Sequence, residues 1–160
     1  MTIANYIYII VISGYYTKED WQKWADEEIL KRDEVDDWIY QIATAKDVDE
    51  VRSATYYPRL EECYFCYNKF SREDAIVGFY YMLYKENRMS LYELISKLSD
   101  EDDISNGSSI RKRQNFYEMF NQLNKINDLD YRNALENKIK ELFEPFVKIA
   151  KEQKRILEAH

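Results

Sequence analysis

Histidine, glycine, proline and cysteine are all scarce in this 160-residue chain, which holds 1, 3, 2 and 2 of them respectively. Tight turns consume glycine and proline, so their scarcity argues against a β-sandwich or a barrel. We expect the only histidine, His160, to be frayed, so a Ser-His-Asp or Cys-His site would lack its base. Gly14, Gly78 and Gly107 stand apart from one another, which excludes a glycine-rich phosphate loop. The sequence therefore predicts no catalytic residues, no cofactor-binding residues and no cofactor.

The two cysteines, Cys63 and Cys66, form a single C-x-x-C pair. A structural zinc site needs a second such pair, and a thioredoxin-type site needs a strand-to-helix context. We interpret both residues as packing cysteines and predict no metal site, with a metal shared across an oligomer and a redox pair as the alternatives. The apolar run Tyr6 to Ile12 is much shorter than the roughly 20 residues of a membrane span. These features predict a cytoplasmic protein with no membrane contact.

Apolar residues recur at helical spacing along most of the chain, which predicts an all-α fold. We expect a single domain over residues 1–160, a multi-helix bundle of about seven to nine helices, with a packing subdivision at the loop 99–109. Tyr6 to Ile12 is predicted to be a buried helix that stops near Gly14, and a β-strand paired with another chain is the alternative. Pro145 should kink or break the last long helix. Four helix starts are indicated by capping pairs: Thr17 with Asp20, Asp47 with Glu50, Ser71 with Asp74, and Ser90 with Glu93.

Acidic residues are concentrated between positions 17 and 50, which hold twelve acidic and five basic residues. This segment alone has a balance of −7, which equals the net charge of the whole chain. Such a face repels phosphate backbones, so we predict no nucleic-acid partner. It is either a solvated helical surface or a docking surface for a basic protein. The same segment holds all three tryptophans, Trp21, Trp24 and Trp38, which we expect at the centre of the core.

Tyrosine is abundant, with fifteen residues that include the adjacent pairs Tyr15-Tyr16, Tyr56-Tyr57 and Tyr80-Tyr81. Neighbours on a helix point in different directions, so at least one member of each pair should be partly exposed. Exposed tyrosines are frequent at binding hot spots, because they combine a rigid contact area with a polar tip. The alternative is that these side chains only line the rim of the core.

The segment Ala54-Thr55-Tyr56-Tyr57-Pro58, followed by Glu61 and Glu62, resembles the Tyr-Tyr-Pro segment of the colicin-type nuclease immunity proteins. Those proteins are small, acidic helical inhibitors from bacteria that block a basic toxin with exposed tyrosines and carboxylates. The resemblance covers residues 54–62 only, and Arg59 places a base within it. It implies a bacterial protein that binds and inhibits a basic toxin or enzyme.

We therefore predict a non-enzymatic protein-binding module, an immunity or inhibitor protein with a basic protein partner. Two alternatives are a self-associating structural or regulatory helical protein, such as a homodimer, and a metal-dependent all-helical nucleotide hydrolase. The predicted partner-binding residues are four acids of the acidic segment 17–50 and the tyrosines and acids of the Tyr-Tyr-Pro segment: Asp33, Glu34, Asp36, Asp37, Tyr56, Tyr57, Glu61 and Glu62.

Overall fold

The structure, a computed structural model, describes residues 3–65, 71–125 and 129–160, without the side chains of residues 62–65. These ranges are all-α, as predicted, and contain no β-strand. No helix in them combines the length and the apolar character that crossing a membrane requires. The α-helices of these ranges are α1 (Ile3–Ile12), α2 (Lys18–Lys31), α3 (Asp37–Thr44), α4 (Val48–Ala54), α5 (Tyr56–Phe65), α6 (Arg72–Lys85), α7 (Leu91–Ser99), α8 (Phe116–Lys125) and α9 (Leu129–Glu158).

The chain forms two compact units. The first comprises residues 1–69 and 152–160, and the second comprises residues 70–151, so α9 supplies residues to both. The loop 99–109, where we expected a packing subdivision, lies inside the second unit. That there is one domain over 1–160 stays a prediction.

In the first unit, α2 packs on α3, α3 on α4, and α1 on both α4 and α5. The apolar run at the start of the chain is helical, as predicted, and its residues Ile7, Ile9 and Ile10 are fully buried. Gly14 ends this helical segment with a φ of +76°, a left-handed conformation that glycine adopts without a steric penalty.

Local capping sets most of the predicted helix starts. The Asp20 carboxylate accepts a hydrogen bond from the Thr17 amide at 2.8 Å, and the Asp47 carboxylate accepts one from the Glu50 amide at 2.9 Å. In the second unit, Ser71 caps α6, and a complete capping box formed by Ser90 with Glu93 opens α7. These bonds satisfy amides that have no partner within the first helical turn, which is why the sequence signature is reliable there.

Helix α6 occupies the core of the second unit and is buried on all sides, since every residue from Ala75 to Leu83 is buried. Tyr80 and Tyr81 are both buried, so the expectation that one of them would be exposed is wrong. The Tyr80 hydroxyl donates to the Asp103 carboxylate at 3.2 Å, and burial together with that carboxylate raises the pKa of Tyr80. The hydroxyl thus holds the irregular loop after α7 against the core.

Helix α9 continues through Pro145 without interruption. The sequence predicted a kink or a break here; the helix is not broken, and a kink at Pro145 stays a prediction. A proline inside a helix lacks one backbone donor, and packing of the helix on its neighbours compensates for that loss. Phe143 and Phe146, on either side of Pro145, are both buried.

Only two of the three tryptophans belong to the core. Trp21 and Trp24 are 4% and 5% exposed, whereas Trp38 is only half-buried, so its assignment to the centre of the core is wrong. Trp38 stacks on Trp24 with ring centroids 6.1 Å apart. The reason is positional: Ile39 and Ile42 fill the buried face of α3, and Trp38 lies at the edge of that face.

Residues 152–160 pack within the first unit. The carbonyl of Leu157 accepts a hydrogen bond from the Trp24 indole nitrogen at 3.3 Å, and Leu157 itself is buried. Burial and then the nearby Glu158 carboxylate raise the pKa of Tyr16. His160 itself contacts the Glu28 carboxylate at 3.0 Å within the first unit, contrary to the expectation that it is frayed.

Candidate functional site

A groove of about 870 Å³ lies in the first unit and has walls from α1, α3, α4 and α5. Its volume is within the range of roughly 300–1,000 Å³ that is typical of ligand-binding clefts. Buried apolar side chains contribute to its surface, among them Ala4, Ile39 and Ala54. The polar and aromatic side chains that line it are Arg32, Asp36, Asp37, Trp38, Gln41, Ser53, Tyr57, Glu61 and His160.

The groove brings together half of the sequence-predicted partner-binding residues. Asp36 occupies the N-cap position of α3 without a capping hydrogen bond from its side chain, Asp37 is the first residue of the helix, and both residues are exposed. Tyr57 and Glu61 lie one turn apart on α5 and contribute to the same groove. Two segments that are about twenty residues apart in sequence therefore form one surface with carboxylates and an aromatic ring.

The other four predicted partner-binding residues either do not line the groove or have side chains outside the described residues. Asp33 and Glu34 are exposed in the connection between α2 and α3 but do not line the groove. Tyr56 is 51% exposed and packs edge-on against Tyr57, with ring centroids 5.2 Å apart, without lining the groove itself. The side chain of Glu62 lies outside the described residues, as do those of Cys63 and Cys66, so the prediction that these cysteines pack in the core also stays a prediction.

Tyr57 is among the most exposed aromatic side chains of the described chain, at 74% of its area. It lies in the first turn of α5 together with Pro58, whose fixed φ suits a helix start. The edge-on contact with Tyr56 restricts the Tyr57 ring even though most of it is open to solvent. A large ring that is both restricted and exposed is the kind of side chain that loses little entropy on binding.

Trp38 belongs to this site, which sequence reasoning missed because it placed the residue in the core. Its indole nitrogen donates to the Asp36 carboxylate at 3.3 Å, and Trp24 stacks on it. The two contacts fix the ring at the groove. The only available signal was its position beside Asp36 and Asp37, where a helix begins and neighbouring charges keep the segment near water.

Arg59, the base inside the Tyr-Tyr-Pro segment, does not line the groove. Its guanidinium carbon lies 3.5 Å from the centroid of the Tyr8 ring, and its Nε donates to the Thr55 carbonyl at 3.2 Å. A cation over an aromatic face is stabilised by the quadrupole of the ring. The Arg59 guanidinium is thus bound to Tyr8 and Thr55 within the first unit and does not line the groove with the carboxylates.

Among the described residues that line the groove, Arg32 and His160 are the basic ones, and both contact the buried carboxylate of Glu28. The side chain of Glu28 is fully buried, and its oxygens lie 3.0 Å from nitrogens of Lys31, Arg32 and His160. Burial opposes ionisation of Glu28, but the hydrogen bonds from His160 and Lys31 outweigh it and hold the pKa of Glu28 below its ordinary value. Arg32 is thus engaged with Glu28, which also pairs with Lys31, and it forms no ion pair with the carboxylates of the groove among the described residues.

Because the pKa of Glu28 is lower in the folded chain than in the unfolded one, this cluster should make stability depend on acid pH. Its contribution is fully present above the ordinary value of 4.5 and is lost as the pH falls through the lowered folded-state pKa. Glu28→Gln should therefore unfold at lower urea concentration than the wild type at pH 7, and the difference should shrink as the pH falls below about 4.5. Glu27→Gln, a neighbouring exposed carboxylate, is the control. A difference between Glu28→Gln and wild type that is constant from pH 7 to pH 3 would contradict this role.

Among the described residues there is no group of three or more histidine, cysteine, aspartate or glutamate side chains that could hold a metal ion. The carboxylates of the groove belong to separate segments, Asp36 and Asp37 at the start of α3 and Glu61 on α5. What the groove offers chemically is therefore negative charge beside aromatic and apolar surface.

The resemblance to immunity proteins rests on the Tyr-Tyr-Pro segment, which the structure places at the start of α5. Four of its residues, Ala54, Tyr57, Pro58 and Glu61, line the groove, and the Tyr56 ring packs edge-on against Tyr57. Comparison of the chain with protein families, with curated proteins and with solved structures found no match.

Proposed function

We propose that this chain is a non-enzymatic protein-binding module that holds a basic segment of a partner protein in the groove of its first unit. The observation that carries the proposal is the convergence of Asp36, Asp37, Tyr57 and Glu61 on one groove, although they belong to two separate segments. In its most concrete form, the module is an immunity or inhibitor protein that blocks a basic toxin or enzyme. The resemblance of the Tyr-Tyr-Pro segment supports that form.

The negative charge of the groove supports a basic partner. Among the described residues, Asp37 and Glu61 form no ion pair, and the Asp36 carboxylate accepts a hydrogen bond from the neutral indole N–H of Trp38. Unpaired carboxylates around a cleft create a negative potential that accelerates the approach of a positively charged surface. A basic segment would therefore be steered to the groove before any close contact forms.

The apolar and aromatic surface supports tight rather than merely electrostatic binding. Trp38 is half-buried and Tyr57 is mostly exposed, so a partner that covers them removes apolar area from water. Aromatic side chains of this kind dominate binding energy at many interfaces. Tyr57→Ala should thus weaken binding by about 2 kcal/mol or more, mainly through faster dissociation.

Two charge-reversal variants separate a local site from a general effect of net charge. Asp37→Lys with Glu61→Lys changes carboxylates in the groove, whereas Asp33→Lys with Glu34→Lys changes the net charge equally outside it. We expect the groove variant to lose its partner and the outer variant to keep it. Circular dichroism should show the same helical content for both variants and the wild type.

The experiment is affinity capture from the source cells on three matrices that carry the wild type, the groove variant and the outer variant. The expected result is a basic protein that is retained by the wild type and the outer variant and is lost from the groove variant. A captured protein that is acidic, or retention that is equal on all three matrices, would overturn the proposal.

A further inference from the structure

We propose that the group that anchors a partner in the groove is an arginine side chain, whose guanidinium stacks on Trp38 and pairs with the carboxylates of Asp37 and Glu61. This inference rests on the proposed function, because it names the chemical group that the same groove recognises. It does not require the identity of the partner.

The indole ring of Trp38 is fixed in the groove by contacts with Trp24 and Asp36. Trp24 covers one side of it, at a centroid distance of 6.1 Å and an angle of 29° between the ring planes. The Asp36 carboxylate holds its nitrogen at 3.3 Å, and the half-buried ring lines the groove. A ring fixed by two neighbours does not have to be ordered when a ligand arrives, so little binding energy is lost.

The carboxylates of the groove call for a cation that no described residue supplies to Asp37 or Glu61. Asp37 and Glu61 have no ion-pair partner among the residues that the structure describes. Arg32 lines the same groove, but its guanidinium is bound to the fully buried carboxylate of Glu28 at 3.0 Å. His160 contacts that carboxylate as well, so both basic side chains at the groove are engaged with Glu28.

A guanidinium suits this combination better than an ammonium group does. It is planar, stacks on aromatic faces, is weakly hydrated, and presents paired N–H donors that match a carboxylate. A lysine ammonium gains the charge interaction but not the stacking of planar surfaces. A methylated ammonium is recognised by several aromatic faces around it. Among the described residues, the groove lining contains two aromatic side chains, Trp38 and Tyr57, and three carboxylates, which favours arginine.

The test is a titration of the ¹⁵N-labelled chain with N-acetyl-arginine amide, N-acetyl-lysine amide and the trimethyllysine amide at constant ionic strength. The three tryptophans give three indole N–H signals in a nitrogen–proton correlation spectrum, and Trp38→Phe assigns the signal of Trp38. We expect the arginine amide to shift the Trp38 signal along a saturable curve, with the Trp21 and Trp24 signals much less affected. Binding of the lysine amide should be at least about threefold weaker.

Charge-neutral variants complete the test. Asp37→Asn with Glu61→Gln should abolish the saturable shift, whereas Asp33→Asn with Glu34→Gln should leave it unchanged. Equal binding of the lysine amide, stronger binding of the trimethyllysine amide, or no saturable shift of Trp38 would each overturn the assignment of arginine.

Two further results distinguish a failure of the arginine anchor from a failure of the proposed function. A basic partner whose capture survives replacement of its surface arginines by lysine would overturn the arginine anchor and leave the proposed function intact. A saturable arginine shift without any partner that distinguishes the groove variant would overturn the proposed function and would leave only a groove that binds free arginine.

Discussion

Replacing Trp24 by alanine should lower the free energy of unfolding by about 3–5 kcal/mol, because the change removes a large buried ring from the core. Trp24 is 5% exposed, stacks on Trp38, and donates its indole N–H to the Leu157 carbonyl. The substitution would therefore remove apolar contacts within the first unit and one hydrogen bond to residues 152–160. Urea unfolding followed by far-UV circular dichroism measures the effect, since the fluorescence signal changes with the substitution itself.

The other two tryptophans provide matched controls. Trp38→Ala should cost only about 1–2 kcal/mol, because this ring is half-buried. Trp24→Phe should cost about 1 kcal/mol more than Trp21→Phe, since the Trp21 indole nitrogen is buried without a hydrogen-bond partner among the described residues. A Trp38→Ala variant as unstable as Trp24→Ala would place Trp38 in the core and remove it from the groove.

Replacing Gly78 by alanine should destabilise the second unit by about 3 kcal/mol or more, at the upper end of the usual cost of overpacking. A methyl group at this position would lie 2.1 Å from the backbone oxygen of Phe146 and 2.8 Å from the side-chain carbon of Ala150. Glycine therefore permits the close approach of α6 and α9. An ordinary glycine within a helix gains about 1 kcal/mol when it is replaced by alanine, so the expected sign is opposite to that of helix propensity.

A second substitution distinguishes the backbone contact from the side-chain contact. Ala150→Gly removes the methyl group that Gly78→Ala would meet but leaves the Phe146 oxygen in place. We thus expect the double variant to remain as unstable as Gly78→Ala. Thermal unfolding by calorimetry provides the measurement, and a Gly78→Ala variant that melts at or above the wild-type temperature would refute the close approach.

Features that depend on a few neighbouring residues could be predicted from the sequence. The starts of α6 and α7 follow from Ser71 and from Ser90 with Glu93, because capping bonds join residues only three positions apart. The apolar run at the beginning of the chain was correctly predicted as a buried helix, since no other segment offered a partner strand.

Features that depend on residues far apart in sequence could not be predicted in the same way. The groove needs residues of α3 and α5 on one surface, and this depends on the packing of α3 on α4 and of α1 on α4 and α5. Periodicity alone does not determine which helices pack together. Glu28 lies on α2 with Lys31 and Arg32 at helical spacing, a pattern that also suits an exposed ion pair. Its burial depends on the first unit as a whole, and its contact with His160 spans 132 positions. Trp38 was wrongly predicted at the centre of the core for the same reason. The helical spacing of apolar residues does not show which of them lies at the edge of the buried face.

The most direct measurement of the groove's role is the association rate constant of the recovered partner at ionic strengths from about 10 to 500 mM. We expect the wild-type rate to fall at least about tenfold over this range, because exposed charges are screened within a few ångströms at high salt. The groove variant, Asp37→Lys with Glu61→Lys, should associate slowly at low salt and depend little on salt, whereas the outer variant, Asp33→Lys with Glu34→Lys, should remain closer to the wild type. Equal association rates for the wild type and the groove variant at low salt would contradict the account.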